Sequence, residues 1–283
     1  MLDLELQKPP QPAPEEPRPK RPIGLWVAVL GMAVAIAIAA YIAFFGTRRS
    51  LAPAATPAAQ AEPPKPDAQP LGGAAAPVNL PPLNETDPVV RDLVRQLTSH
   101  PRVAAWLATN GLIRNFTVSV ANVSEGVAPA RQLGVLRPST PFRVTERGGA
   151  LYIDQASYQR YDTLAAAVAS IDPAGAARLY TTLKPRLEDA SRELGIASFD
   201  RTLERAIVSL LETPVPRGEV RVSPSTRGIG YDFADPALEN LTAAQKQLVR
   251  MGPRNAATVQ QSLYAIGRAL GIPAERLPHR GQP

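Results

Sequence analysis

FRVTERGGALYI, residues 142–153, is the stretch on which the fold class turns. Two runs rich in β-branched and aromatic residues flank Gly148-Gly149, and paired glycines supply the positive φ angles that a tight primed turn demands. The stretch therefore predicts a β-hairpin. A second hairpin is expected over residues 220–233, turning around Pro224 to Arg227. Nearly everything else in the region has helical periodicity. The expected fold is α+β, predominantly helical with two β-hairpins, and no fixed repeat period interrupts it.

Working outward, the helices follow from caps, prolines and apolar stripes. Upstream, Asp87 and Pro88 open a helix with Val89, Val90, Leu93, Val94 and Leu97 on its inner face, and Pro101 opens another around Val103, Trp106 and Leu107. His100, just before Pro101, reads as a surface residue. Asn110-Gly111 ends that helix, residues 112–123 continue in a helical pattern, and residues 126–140 read as loop. Downstream, residues 158–169 predict one helix. Asp172-Pro173 starts a long one ended by Gly195, which Pro185 should kink or split. FDRTLERAIVSLL, residues 199–211, is the cleanest amphipathic helix, with Leu203, Ala206, Ile207, Leu210 and Leu211 inward. Asp235-Pro236 and Thr242 begin two short helices, and residues 254–270 form the last long one.

Far upstream lies IGLWVAVLGMAVAIAIAAYIAFFG, residues 23–46, which holds no charged residue. As a helix it would extend ~36 Å, enough to cross a hydrocarbon core of ~30 Å once. A secretory signal has a shorter apolar core with a small-residue cleavage site beyond it, so an uncleaved anchor is expected. Lys8, Arg18, Lys20 and Arg21 precede the run and Arg48 and Arg49 follow it. That bias puts the N-terminus in the cytoplasm and the bulk of the chain in the periplasm, anchored at the inner membrane. Trp26, Tyr41, Phe44 and Phe45 stand near its ends as interfacial aromatics do, and Gly31, Ala35, Ala39 and Ala43 recur at the spacing that pairs transmembrane helices into a homodimer.

The expected organisation is thus a disordered cytoplasmic tail (1–22), a transmembrane helix (23–46), an Ala/Pro-rich linker (47–82), a globular domain (83–272) and a flexible tail (273–283). Extended as polyproline II at ~3.1 Å per residue, the linker would reach roughly 100 Å.

Composition narrows the chemistry. The chain has no cysteine and two histidines, His100 and His279, far apart in sequence. Thiolate catalysis and cysteine-based metal sites are excluded, and neither a histidine metal site nor a cofactor is expected. The net charge of +6 is spread through the chain without a basic stripe, so nucleic acid is not an expected partner. No phosphate-binding loop, dinucleotide fingerprint, HExxH or nucleophile elbow occurs. Carboxylate pairs remain as candidate acid and base for glycoside hydrolysis, from Glu188, Glu193, Asp162 and Asp172. Glu188 and Asp189 lie beside Arg186 and Arg192, however, as helix-surface ion pairs do.

Two groups suit binding. Tyr158, Arg160, Tyr161 and Asp162 combine aromatic surface with fixed charge, the residue types of interface hot spots, although a capped helix start with packed tyrosines explains them equally. Lys246, Arg250 and Arg254 would line one helix face for an anionic polymer or head group, if Gly252-Pro253 left that helix continuous.

Four segments carry a resemblance: YQRYD (158–162), LKP (183–185) with ELG (193–195), FDRTLERAI (199–207) and AAQKQLVRMGPRN (243–255). Together they resemble the bacterial family known as domain of unknown function 3014, over residues 83–272. The resemblance implies an anchored N-terminus, a Pro-rich linker and an envelope setting, and it carries no activity and no catalytic residues. The expected function is a single-pass envelope protein whose periplasmic domain binds another protein or a cell-wall component. The alternative is a wall-active hydrolase with a carboxylate pair.

Overall fold

The computed structural model describes residues 70–73, 79–226 and 228–278. The predicted tail at 1–22, the apolar run at 23–46 with its Gly31, Ala35, Ala39, Ala43 face, and most of the linker lie outside the described residues. Among the described residues no helix is long and apolar enough to cross a membrane.

The chain is mixed α+β, mostly helical, with a four-stranded antiparallel sheet. Three helices come first, α1 (Asp87–Arg95), α2 (Pro101–Leu107) and α3 (Leu112–Ser124). The first hairpin follows as β1 (Val144–Arg147) and β2 (Ala150–Ile153), with Gly148 and Gly149 at φ 57° and 74° in the turn. Next come α4 (Gln155–Gln159), α5 (Asp162–Ala169), α6 (Pro173–Glu193) and α7 (Phe199–Leu211). The second hairpin is β3 (Arg221–Pro224) and β4 (Tyr231–Phe233). The chain closes with α8 (Pro236–Glu239), α9 (Ala243–Arg250) and α10 (Pro253–Ala269).

The two hairpins are one sheet. Strands β2 and β3 pair directly, Leu151 opposite Val222 and Tyr152 opposite Arg221, although four helices separate them in sequence. The sheet buries Ile153, Val222 and Phe233 against Tyr158, Leu238 and Val249, while Arg221 and Ser223 face outward. The helices form a separate and larger core, in which α3 lies against α7 and α6, and α10 packs on α5, α6 and α7. Phe199 and Leu112 are fully buried there. Leu71 and Leu80, which fall within the stretch read as linker, are buried in the same core.

Four local expectations change. Asp87 does not cap its own helix: its carboxylate accepts from the Gly111 N–H (2.7 Å) and the Leu112 N–H (2.9 Å), and so caps α3. Gly111, in the left-handed region and without a side chain, cannot supply that cap itself. The single helix over 158–169 is two, α4 and α5, because Asp154 caps an earlier start and the chain turns at Arg160-Tyr161. Pro185 neither ends nor splits α6, which runs on from Pro173 to Glu193. The proline lies on the exposed side, while Leu183 and Leu187 hold the helix to the core. His100, read as a surface residue, accepts the Arg102 N–H at Nδ1 and caps α2.

A polar clasp fastens residues 71 and 72 to the helical layer. The Asp200 carboxylate accepts from the Leu71 N–H (3.1 Å), from Lys184 Nζ (2.7 Å) and from the Tyr180 hydroxyl. Lys184 Nζ also donates to the Leu71 carbonyl (3.3 Å), Thr181 Oγ1 to the Gly72 carbonyl (2.7 Å), and the Gly72 N–H to the Leu270 carbonyl (2.8 Å). The Lys184 and Asp200 side chains are only 14% and 20% exposed. Burial, and then the bond to Asp200, holds the Tyr180 hydroxyl protonated well above its ordinary range. Lys184→Met leaves Asp200 without its cation, so urea denaturation should show a loss of about 2 kcal/mol, between the values for exposed and buried pairs. The same variant should be cleaved faster by protease near residues 70–82. An unchanged urea midpoint would mean that the clasp does not hold this segment.

Candidate functional site

The segments YQRYD and VRMGPRN meet at one place, where the end of α4 and the start of α5 face the α9–α10 corner. That corner is set by Gly252, with φ 86° and ψ 161°, a conformation essentially confined to glycine. A Cβ there would lie 2.5 Å from Tyr158 Cγ, so the backbone passes directly over the tyrosine ring. Asn255, 4% exposed in the first turn of α10, fixes the junction. Its Nδ2 lies within 3.0 Å of the Tyr158 carbonyl, 2.9 Å of Asp162 Oδ1 and 3.0 Å of the Met251 carbonyl. Arg254 then reaches Asp162 Oδ2 at 3.2 Å. Gln155, Gln159 and Pro253 complete the lining of a hollow of about 140 Å³. Its rim offers an exposed cation, since the Arg254 side chain is 81% exposed, and the two glutamine amides.

Of the residues proposed from sequence, Tyr158, Asp162 and Arg254 come together here and the others do not. Arg160 donates to the Ser157 carbonyl (3.1 Å) and the Thr140 carbonyl (2.8 Å), and its guanidinium lies over the Phe142 and Tyr161 rings at 5.6 and 5.4 Å. It staples the loop before β1 onto α4. Tyr161 is buried, its hydroxyl accepting from Gln247 Nε2 (3.0 Å). The break at Gly252-Pro253 disperses the three expected cations. Lys246 pairs with Glu239 at 2.7 Å, Arg250 covers the Phe233 ring at 5.1 Å, and Arg254 alone reaches the hollow.

Of the candidate carboxylates, Glu193, Asp172 and Asp162 stand on ion pairs or caps, and Glu188 forms neither among the described residues. Glu193 accepts two bonds from Arg114 (2.6 and 2.8 Å), which hold its pKa below the usual carboxylate range. Asp172 caps α6 through the Gly175 N–H (2.6 Å), with Arg178 at 3.7 Å. Asp189 pairs with Arg186 and Arg192, and Glu188 lies beside it on α6. Among the described residues no group of three or more His, Asp or Glu converges as metal ligands would.

Sequence reasoning passed over Asn255, Lys184 and Asp200, although all three lie inside the quoted segments. The available signal was a short polar residue at a position its helix buries, as Asn255 is in the first turn of α10.

With the fold and this junction described, the comparison with known sequences has a place to fall. Residues 112–267, from the start of α3 into α10, match the family described as Protein of unknown function (DUF3014), and the chain belongs to that family. No curated protein and no solved structure matches it.

Two substitutions test the junction. Gly252→Ala forces both a strained backbone and a clash with Tyr158, and should cost about 3 kcal/mol in a urea titration. Wild-type stability at this position would show that the corner can relax. Tyr158 is buried with its hydroxyl unpartnered among the described residues, and burial, helped by the Glu219 charge, pushes its pKa up to about 12. Tyr158→Phe removes that orphaned group and should gain about 1 kcal/mol at pH 7. Because the folded pKa is raised, the wild type keeps its full contribution below the unfolded value near 10 and loses it as pH rises through about 12. The advantage of Tyr158→Phe should therefore widen between those values in urea titrations; a constant difference would contradict the assignment.

Proposed function

We propose that this protein is a single-pass component of the cell envelope. In this reading residues 23–46 cross the inner membrane, residues 1–22 remain in the cytoplasm, and a non-catalytic domain binds its partner in the periplasm. The uncharged run, its basic flank and the Ala/Pro-rich stretch after it support the setting. Gly31, Ala35, Ala39 and Ala43 would pair two such spans.

The observation that carries binding over catalysis is the use already made of the acidic side chains. A glycosidase needs one carboxyl free to give a proton and a second facing the same bond. Here Glu193, Asp172 and Asp162 each answer to an arginine, and Asp172 also to a helix N-terminus, so Glu188, the fourth candidate, has no unpaired partner among them. What the Tyr158, Asp162, Arg254 junction offers is a small polar hollow with an exposed guanidinium beside it. That suits recognition of an acidic or carbonyl-bearing group on another protein or on the cell wall.

The test pairs topology with activity. A reporter active only in the periplasm, fused after Pro283, should give signal, and its cytoplasm-only counterpart should not; the reverse pattern would overturn the envelope reading. Purified protein should release no soluble fragments from peptidoglycan from about pH 4 to 8, the range in which carboxylate pairs work. Release of fragments would replace binding with hydrolysis.

A further inference from the structure

The helical layer lines a partly open cavity of about 530 Å³. Helices α1, α2, α3, α5, α6, α7 and α10 and the loop before β1 all contribute wall, with Phe116, Leu183, Leu203 and Leu263 typical of it. Protein interiors are close-packed, and voids larger than a water molecule are few. An empty apolar space of this size forfeits contacts along every wall. It falls within the range of small-molecule sites, ~300–1,000 Å³, and is lined as they are. An apolar cavity of ~150 Å³ holds the six carbons of benzene, so this one has room for about twenty.

Its walls are almost wholly apolar, and the one charged residue among those lining it, Arg102, stands on α2. Arg102 and Trp106, one turn apart and therefore on one helix face, both line the cavity. The Trp106 Nε1–H is buried with no acceptor among the described residues. The Arg102 guanidinium, half-buried, makes no hydrogen bond or ion pair among them. Most of the arginines discussed above are engaged by carboxylates or carbonyls, so an unmatched cation at the edge of an apolar cavity is a complement awaiting oxygen atoms. Thr98, hydrogen-bonded to Ser170 at 2.8 Å, adds a hydroxyl to the same edge.

We propose that the cavity binds a single-chain anionic amphiphile, its acyl chain of up to about twenty carbons inside the apolar walls and its head-group oxygens on Arg102 at the edge. A free fatty acid and a monoacyl phospholipid share this chemistry. The cavity is separate from the junction at Asn255, and the proposal does not rest on the topology of residues 23–46.

Trp26 and Trp106 are the two tryptophans of the chain, which makes a direct test available. The full chain carrying Trp26→Phe, placed in nanodiscs of unbrominated phospholipid, reports on Trp106 alone. It is titrated with palmitate brominated in mid-chain and, separately, with a monoacyl phosphatidylglycerol carrying the same chain, since bromine quenches indole only at contact. The expected result is saturable quenching in at least one arm, and the arm that saturates at lower concentration names the source. Arg102→Glu should raise the half-saturation concentration about tenfold or more, the weight of a charge-assisted hydrogen bond, with an unchanged unfolding midpoint. Quenching that never saturates in either arm, or that is the same in Arg102→Glu, would overturn the proposal.

Discussion

The side-chain amide of Asn255 sits where three carbonyl-type oxygens converge. Its two hydrogens serve the Tyr158 carbonyl, the Met251 carbonyl and the Asp162 carboxylate, so at least one bond is shared. These acceptors belong to the end of α4, the end of α9 and the start of α5. Without the amide, the Tyr158 carbonyl would keep only the Tyr161 N–H and the Asp162 carboxylate only Arg254, and nothing would bridge the three oxygens across the buried junction, which a protein interior does not tolerate cheaply. The position of α10 in the helical layer is thereby tied to that of Tyr158, whose ring lies in the core beneath the sheet. Gly252 makes this possible by letting the backbone come within contact of the tyrosine, and Arg254 closes over the outside. One small polar side chain thus helps to register the two halves of the fold to each other.

Several features were legible because their causes are local. The helix at 199–211 has its cap, its stripe and its terminators within the same short stretch, and the structure reproduces its bounds. The hairpin around Gly148-Gly149 is likewise specified by its own turn. Other features depend on partners remote in sequence. Asp87 had the position of an ordinary N-cap before Pro88, and only the approach of α3 makes it the cap for Gly111 and Leu112. Leu71 and Leu80 are isolated apolar residues in an Ala/Pro-rich stretch, and their burial depends on grooves built from helices more than a hundred residues away. The β2–β3 pairing that fuses the hairpins leaves no local trace either. The cavity was illegible for a further reason: apolar stripes that fill a core and apolar stripes that enclose a space have the same periodicity. At the candidate site, Tyr158, Asp162 and Arg254 were named from residue type alone, while the Asn255 that assembles them was not.

Arginine does much of the joining, and it does so by capturing carbonyl oxygens. Arg91 donates to the Leu107 and Thr109 carbonyls (2.7 and 2.8 Å) and ties α1 to the end of α2. Arg160 holds the Thr140 and Ser157 carbonyls, and Arg186 the Leu80 carbonyl at 2.9 Å. The last carbonyls of a helix have no partner within it, and a planar guanidinium can satisfy two acceptors while its aliphatic stem stays packed. Short helices with abrupt turns expose many such ends. The arginine content thus partly serves the architecture itself.

The clasp around Leu71 and Gly72 has a mechanical meaning. A strain applied to the chain from its N-terminal side enters this domain at four backbone hydrogen-bonding groups, received by α6, by α7 and by the Leu270 carbonyl just after α10. The load would be divided among the longest elements of the structure, and the short strands of the sheet lie off that path. Parallel bonds of this kind share tension and resist together, where bonds opened one after another yield singly. The attachment point would thus act as a strain relief, sparing the short strands of the sheet while the chain is drawn taut.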